Sequence, residues 1–168
     1  LLMTKLCRVL VDYLQMQIKS GADAVQIFDS WGALCTDEEY ERFSLNWIKS
    51  IIAQLPANFP VIVYTKGMSH QASALASTGA KVLSLDWTCR LSEIRKTVGP
   101  LVALQGNLDP ALLNTTPDVV CAETQKILRD MSGKPGHIFN LGHGIMPEAK
   151  IENVEALVET VCRWPDVQ

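Results

Sequence analysis

The stretch HIFNLGHG, residues 137–144, joins a short apolar run to a histidine that lies between two glycines. Four earlier apolar runs also end in polar residues, at Asp29-Ser30-Trp31, Thr65-Lys66-Gly67, Asp86-Trp87-Thr88 and Gln105-Gly106-Asn107. In parallel β/α folds, the loops at the carboxyl ends of the strands carry the active site. The repeated pattern therefore predicts five strands with a site at their carboxyl ends, and we interpret the chain as an enzyme or a large part of one.

Helical patterns alternate with these strands. Apolar residues at three-to-four spacing predict a helix over 6–19. Thr36 and Glu39 form a capping-box pattern, which opens a helical region that runs to about residue 55 with a break near Ser44. The other predicted elements are strands over 24–28, 61–64, 82–85 and 101–104, a strand that opens at His137, and helices over 69–77, 91–97, 116–131 and 151–163.

This alternation of strands and helices predicts an α/β fold. The strands are apolar throughout rather than at every second residue, which indicates a parallel sheet covered by helices. The pattern allows either an open doubly wound sheet or part of a closed (β/α) barrel of the TIM type. No G-x-G-x-x-G follows a strand and the sequence contains no P-loop, which disfavours a dinucleotide-binding fold. Five strands are too few for the eight-stranded barrel, so a barrel would need three further β/α units.

Length, charge and hydropathy narrow the class of protein. The 168 residues fit a single domain over 1–168. The net charge of −3 argues against nucleic acid as the main partner, because binding phosphate needs a basic face. No apolar run approaches the ~20 residues of a membrane helix, so no membrane span is predicted.

The cysteines and the amino terminus bear on the compartment. Five cysteines lie at wide, irregular intervals without a C-x-x-C pair, at Cys7, Cys35, Cys89, Cys121 and Cys162. We interpret them as reduced thiols that serve as small buried apolar groups, which suits a reducing compartment such as the cytoplasm. The opening LLMTK lacks the pattern of a signal peptide and an initiator methionine, so we expect the chain to be a fragment.

His143 is the first candidate for chemistry. The glycines beside it can adopt backbone conformations closed to other residues and let a ligand approach closely. A histidine imidazole can both donate and accept hydrogen bonds. The structural alternative is a surface turn that happens to contain a histidine. The recurrence of polar strand ends on the same side of the sheet favours a functional role.

Ser30 is the second candidate, because its hydroxyl could bind a substrate carboxylate or amide directly after the first strand. The alternative for Ser30 and Asp29 is a loop or helix cap. Lys66 could bind an anion or pair with Asp86 on the next strand, and the ion pair is the favoured interpretation. Loop architecture is the interpretation favoured for Gln105, Asn107 and Asp109.

A metal site is not predicted. A zinc-thiolate site would need a cysteine close to His143, whereas the nearest later cysteine is Cys162 in the final helix. The sequence also lacks a G-x-S-x-G nucleophile elbow and a pair of carboxylates with glycosidase spacing.

Five motifs follow one another along essentially the whole chain. They are Phe28-Asp29-Ser30-Trp31, Tyr64-Thr65-Lys66-Gly67, Leu85-Asp86-Trp87-Thr88, Leu104-Gln105-Gly106-Asn107-Leu108-Asp109-Pro110 and Phe139-Asn140-Leu141-Gly142-His143-Gly144. In this order and at this spacing they resemble the uroporphyrinogen decarboxylase family. The resemblance implies a (β/α) TIM-type barrel, of which this chain supplies about five β/α units, strands four to eight.

The resemblance also implies an activity. Members of the family are lyases of porphyrin and haem biosynthesis, which remove carbon dioxide from the four acetate side chains of uroporphyrinogen and give coproporphyrinogen. No metal or organic cofactor is implied, because a protonated pyrrole ring accepts the electrons that the leaving carboxylate releases. The family's catalytic aspartate, which stabilises the resulting positive charge, lies in the family's first half and has no counterpart here. The substrate-contacting residues implied for this chain are Ser30 and His143.

Further expectations concern assembly and the fragment itself. The family's usual homodimer is expected of the complete protein. This chain alone is expected to be inactive, because a partial barrel exposes unpaired strand edges and apolar inner faces. Two alternatives stay open: a methyltransferase of the same superfamily that acts on corrinoid or thiol methyl acceptors through zinc, and an inactive half-barrel that serves as an interaction module. The histidine-cysteine zinc pattern of the methyltransferase is absent from the sequence.

Overall fold

Residues 1–164, the part of the chain that the computed structural model describes, contain seven α-helices and five strands. The strands are β1 (Val25–Asp29), β2 (Val61–Thr65), β3 (Val82–Leu85), β4 (Ala103–Leu108) and β5 (His137–Leu141). The helices are α1 (Leu2–Lys19), α2 (Asp37–Tyr40), α3 (Asn46–Ile52), α4 (Ala72–Ala76), α5 (Leu91–Val98), α6 (Pro117–Met131) and α7 (Ile151–Cys162). The predicted single domain extends to Gln168, and its last four residues, 165–168, lie outside the described part.

The five strands form one parallel sheet in the order β1-β2-β3-β4-β5. Each connection therefore moves to the next strand in the same direction, whereas a doubly wound sheet reverses direction at a switch point. The predicted α/β class is confirmed, and the strand order selects the barrel type over the doubly wound sheet.

The sheet curls strongly toward one face. The Gln105 side-chain amide on β4 lies 3.4 Å from the Gln26 amide oxygen on β1, although β2 and β3 separate the two strands. Neighbouring strands lie about 4.8 Å apart, so in a flat sheet β1 and β4 would be roughly three times as far apart. The contact between Gln105 and Gln26 thus requires the curvature of a barrel wall, with both side chains on its concave face.

The two faces of the sheet differ in burial. The convex face packs Val63, Leu83 and Leu104 against the helices in the main apolar core. On the concave face Phe28 is 69% exposed and Ile138 is 43% exposed. Large apolar side chains in these positions normally face a closed barrel interior, since the inner residues of a barrel fill its centre.

The fourth strand differs from the prediction. A strand over 101–104 followed by a loop was expected, whereas β4 begins at Ala103 and continues to Leu108. Leu101 precedes the sheet and is 92% exposed. Gly106 allows the extension, because a Cβ at this position would lie 2.7 Å from the Leu85 carbonyl oxygen and the residue has a φ of +134°.

The helical region after β1 follows the sequence prediction. The capping box is present, with the Thr36 amide donating to Glu39 Oε2 at 3.0 Å and the Glu39 amide donating to Thr36 Oγ1 at 3.3 Å. The expected break near Ser44 is a π-helical turn over Glu41–Leu45. Such turns often occur near functional sites. Here the turn brings the Ser44 hydroxyl to the Asp29 carboxylate at the end of β1, to which it donates a hydrogen bond.

The cysteine thiols and the helices can be compared with two sequence predictions, buried reduced thiols and no membrane span. All five cysteines are free thiols, but only Cys7 is fully buried and Cys162 is exposed, so the expectation of buried thiols is wrong for Cys162. Over residues 1–164, no helix combines the length and the apolar character that crossing a bilayer requires.

Candidate active site

Loops at the carboxyl ends of the strands carry Ser30, Lys66, Trp87 and His143, and we refer to these four residues and their surroundings as the mouth. Ser30, Lys66 and Trp87 follow β1, β2 and β3, respectively, and His143 lies two residues after β5. The carboxyl ends of parallel strands meet at one edge of the sheet, so the four residues lie on the same side of it.

Ser30 lines a cavity of about 230 Å³ in the mouth. The cavity lies between the loops after β1, β2 and β3, and its walls are Ser30, Trp31, Ala33, Leu34, Lys66, Gly67, Asp86, Trp87 and Thr88. Two tryptophans and a leucine make it largely apolar, and the residues with polar side chains in its wall are Ser30, Lys66, Asp86 and Thr88. Such a combination is typical of sites that bind an apolar ligand body with polar substituents.

Asp86 holds this part of the mouth in place. Its side chain is buried and accepts hydrogen bonds from the Gly67 amide, from the Thr88 amide at 2.9 Å, and from the Thr88 hydroxyl. These bonds tie the loop after β2 to the loop after β3. The buried carboxylate is a structural anchor, because its oxygens are already engaged by neighbouring donors.

The predicted ion pair between Lys66 and Asp86 is wrong. No ion pair in the described part of the chain includes Lys66. Its ammonium lies instead 5.8 Å from the centre of the Trp87 ring, a cation–π geometry. The physical reason is that backbone and hydroxyl donors have occupied Asp86, so the lysine cation is directed toward the cavity.

His143 contacts Tyr64, a residue for which the sequence pattern predicted no separate role. Its Nδ1 lies 2.9 Å from the Tyr64 hydroxyl, and the two rings stack with centroids 5.7 Å apart and an interplanar angle of 12°. Tyr64 also lies against Phe28, with which it is in register on the neighbouring strand. Because 79 residues separate Tyr64 from His143, no local pattern could have indicated the pair.

The glycines beside His143 have a different role from the one predicted. Neither Gly142 nor Gly144 has a positive φ. Gly142 is required for close packing, because a Cβ there would lie 2.7 Å from the Trp87 amide nitrogen. A Cβ on Gly144 would meet no atom within 4 Å. The backbone freedom expected from the sequence is therefore not used, and only the first glycine is sterically needed.

The remaining strand-end residues are architectural. Asn107 donates to the carbonyl oxygens of Asp86 and Cys89, both at 2.8 Å, and joins β4 to the loop after β3. Asp109 caps a short 3-10 turn by accepting from the Ala111 amide at 2.9 Å. Burial, together with the nearby Asp86 charge, raises the pKa of the Cys89 thiol to about 11, which disfavours a thiolate in this region.

Ser30 and His143 thus lie at the same end of the sheet but not in the same cavity. Ser30 faces the cavity, whereas His143 is held by Tyr64. Trp87 lies between the cavity and the loop that carries His143, because it forms part of the cavity wall and its backbone packs against Gly142. A ligand that touches both residues must be wide enough to extend across the mouth.

The fold and the mouth define a protein of the (β/α)-barrel class with a candidate ligand site at the carboxyl ends of its strands. The chain belongs to the uroporphyrinogen decarboxylase (URO-D) family, whose model matches residues 1–164. The family predicted from the sequence is thereby confirmed.

Related sequences are similar along the same region. The chain is 45% identical over 164 residues to the uroporphyrinogen decarboxylase of Legionella pneumophila (strain Lens), covering 96% of this chain and 47% of the relative. It is 48% identical over 160 residues to the uroporphyrinogen decarboxylase of Myxococcus xanthus (strain DK1622), and the match covers 95% of this chain and 46% of the relative. The chain therefore spans about half the length of the relatives it matches.

Solved structures agree on the fold. A methyltransferase from Methanosarcina mazei matches with a TM-score of 0.83 at 22% identity, over 95% of this chain and 47% of that chain. A putative vitamin-B12 independent methionine synthase from Listeria monocytogenes matches with a TM-score of 0.71 at 16% identity. The match covers 99% of this chain and 55% of that chain. At these identities the likeness concerns the arrangement of strands and helices alone.

Proposed function

We propose that this chain is part of a uroporphyrinogen decarboxylase, which converts uroporphyrinogen to coproporphyrinogen by removing carbon dioxide from four acetate side chains. The match to the family over residues 1–164 carries this proposal. The positions of Ser30 and His143 support it, because the two residues lie in separate parts of the mouth and a tetrapyrrole carries carboxylates on several sides of one macrocycle.

The proposed chemistry needs no cofactor. Protonation of a pyrrole carbon makes the ring cationic, so that the ring accepts the electron pair left when the carbon–carboxylate bond breaks. Uncharged carbon dioxide leaves, a second proton replaces it on the side chain, and the proton on the pyrrole carbon is released, which restores the aromatic ring. The cation requires a nearby negative charge, which the family's aspartate supplies from a segment outside this chain. Here the chain provides binding groups and no catalytic residue.

The chain supplies strands four to eight of the barrel within one domain over 1–168. Three further β/α units would pair with the free edges of β1 and β5 and cover Phe28 and Ile138. The complete enzyme is proposed to be a cytoplasmic homodimer. Uroporphyrinogen is the partner molecule, with no role for nucleic acid.

Ser30 and His143 are the proposed substrate-binding residues. Ser30 lines the cavity, and its hydroxyl is a neutral donor from which a substrate carboxylate would accept a hydrogen bond. His143 is exposed and offers its second ring nitrogen to the mouth. Both contacts bind carboxylates in the ground state and in the transition state alike, so their loss should weaken binding rather than slow the chemical step.

Replacing these residues in the protein expressed from its complete reading frame should raise KM for uroporphyrinogen. Loss of one hydrogen bond contributes about 1 kcal/mol, so Ser30→Ala should raise KM roughly fivefold, and His143→Ala roughly tenfold, with kcat little changed. Coproporphyrinogen formation measured against substrate concentration gives both constants. Ser132→Ala is the matched control, because Ser132 is exposed in the loop before β5, at the opposite end of the sheet. A wild-type KM in both mouth variants would remove these residues from the site.

Lys66 adds a third binding group to the proposal. The substrate carries a carboxylate on every side chain, and a cation in a largely apolar cavity attracts an anion more strongly than one in bulk water. The Lys66 ammonium lies over Trp87 in the cavity wall that Ser30 shares. A carboxylate held by Lys66 and Ser30 together would place the adjoining pyrrole ring against the tryptophans.

Lys66→Met should raise KM for uroporphyrinogen about tenfold while kcat changes little, because charged hydrogen bonds contribute ~1.5–3 kcal/mol and methionine retains the apolar stem. KM of the variant should also depend less on salt concentration than that of the wild type. Lys81→Met is the matched control, since the exposed Lys81 precedes β3 at the amino end of the sheet. Equal KM values for the two lysine variants would contradict the assignment.

A further inference from the structure

Tyr64 makes two polar contacts with a single hydroxyl group. The side chain is 3% exposed at the penultimate position of β2. Its oxygen lies 3.0 Å from the Gly142 carbonyl oxygen and 2.9 Å from Nδ1 of His143. Both partners belong to the loop after β5, so Tyr64 links β2 to that loop across the concave face of the sheet.

The number of available protons determines how these contacts are made. A carbonyl oxygen only accepts hydrogen bonds, so the contact with Gly142 requires the hydroxyl proton of Tyr64. The hydroxyl has no second proton, and the contact with His143 is therefore satisfied only when Nδ1 carries a hydrogen and donates it to the tyrosine oxygen. If Tyr64 donated to Nδ1 instead, two oxygen acceptors would face each other at 3.0 Å without a proton between them.

Tyr64 retains its proton in this environment. Burial, together with the nearby Asp86 charge, raises the pKa of its hydroxyl to about 12. The hydroxyl is consequently a donor throughout the neutral pH range. The stacked rings, inclined by 12°, add a second restraint on the imidazole plane.

We propose that Tyr64 is a positioning residue for His143, which holds a proton on Nδ1 and leaves Nε2 as the nitrogen available to a ligand in the mouth. That the ligand is a carboxylate of a tetrapyrrole rests on the proposed function. With Nδ1 protonated, a neutral imidazole offers only a lone pair at Nε2, which a carboxylate does not bind. The ring binds a carboxylate only as the imidazolium, whose Nε2–H donates with a full positive charge.

The proton distribution is measurable without substrate. The protein from its complete reading frame, labelled with 15N-histidine, gives nitrogen shifts that distinguish a protonated from an unprotonated ring nitrogen, and His143→Gln identifies the relevant signals. At a pH where the His143 ring is neutral, we expect Nδ1–H in the wild type. In Tyr64→Phe, which retains the stacked ring and lacks the hydroxyl, the signal should move toward the Nε2–H form. Tyr13→Phe is the control, because Tyr13 is an exposed tyrosine of α1.

Kinetics provide a second measurement. With the His143 ring present as the imidazolium, Tyr64→Phe should raise KM for uroporphyrinogen about fivefold and leave kcat within about twofold, because Nδ1–H loses the acceptor that holds the ring in place. An Nε2–H signal in the wild type, or the same tautomer in wild type and Tyr64→Phe, would overturn the proposal. A tautomer change with an unaltered KM would support the role of Tyr64 and overturn the assignment of His143 to the substrate, so the two proposals fail separately.

Discussion

The 168-residue chain by itself is expected to form no coproporphyrinogen above the uncatalysed rate. The mouth contains binding groups, but the charge that stabilises the cationic intermediate is proposed to come from a segment outside the chain. The concave face is also open, with Phe28 and Ile138 exposed, so water would reach the reacting ring and weaken each electrostatic contact. The two effects act together, and the expected loss of activity is complete.

Complementation provides the control for this prediction. The part of the Myxococcus xanthus relative that this chain does not cover should restore product formation when both polypeptides are produced together, because the relative is 48% identical over the matched region. The mixture should also be more soluble than either polypeptide alone, since the free edges of β1 and β5 would be paired. Coproporphyrinogen formation by the isolated chain would contradict the prediction.

The sequence predicted those features that depend on local patterns. Short apolar runs identified all five strands, and the Thr36–Glu39 capping box identified the start of the helical region after β1. A polar residue after each apolar run is also a local pattern, and it placed Ser30 and His143 at the same end of the sheet. Parallel order then brings them into the mouth without knowledge of any long-range contact.

The features that were missed depend on contacts between distant segments. Lys66 does not pair with Asp86, because the Gly67 and Thr88 amides already donate hydrogen bonds to the Asp86 carboxylate. Tyr64 meets His143 only because the sheet curls, and a strand that reads as uniformly apolar gives no sign of a polar role for its tyrosine. The extension of β4 depends on the close approach of Gly106 to Leu85, which a sequence does not reveal.

Gly142→Ala should be far more damaging than Gly144→Ala, although the two glycines flank the same histidine. At position 142 the new methyl group would lie 2.7 Å from the Trp87 amide nitrogen and 3.0 Å from the Trp87 ring. The Gly142 amide also donates to the Leu108 carbonyl oxygen at 2.7 Å, so the backbone is held on the other side and cannot move aside freely. Relief of the clash must displace the loop, and with it the Gly142 carbonyl and the His143 ring from Tyr64.

Displacing the His143 ring from Tyr64 should reduce kcat/KM about tenfold, the loss expected for His143→Ala, and overpacking lowers the free energy of unfolding by ~1–3 kcal/mol. We expect effects of this size for Gly142→Ala in the protein from its complete reading frame, measured by product formation and by denaturant unfolding. At position 144 the methyl group meets no atom within 4 Å, so kcat/KM should stay within about twofold of wild type. Equal losses in the two variants would contradict the assignment of Gly142 to the packing of the loop on Trp87.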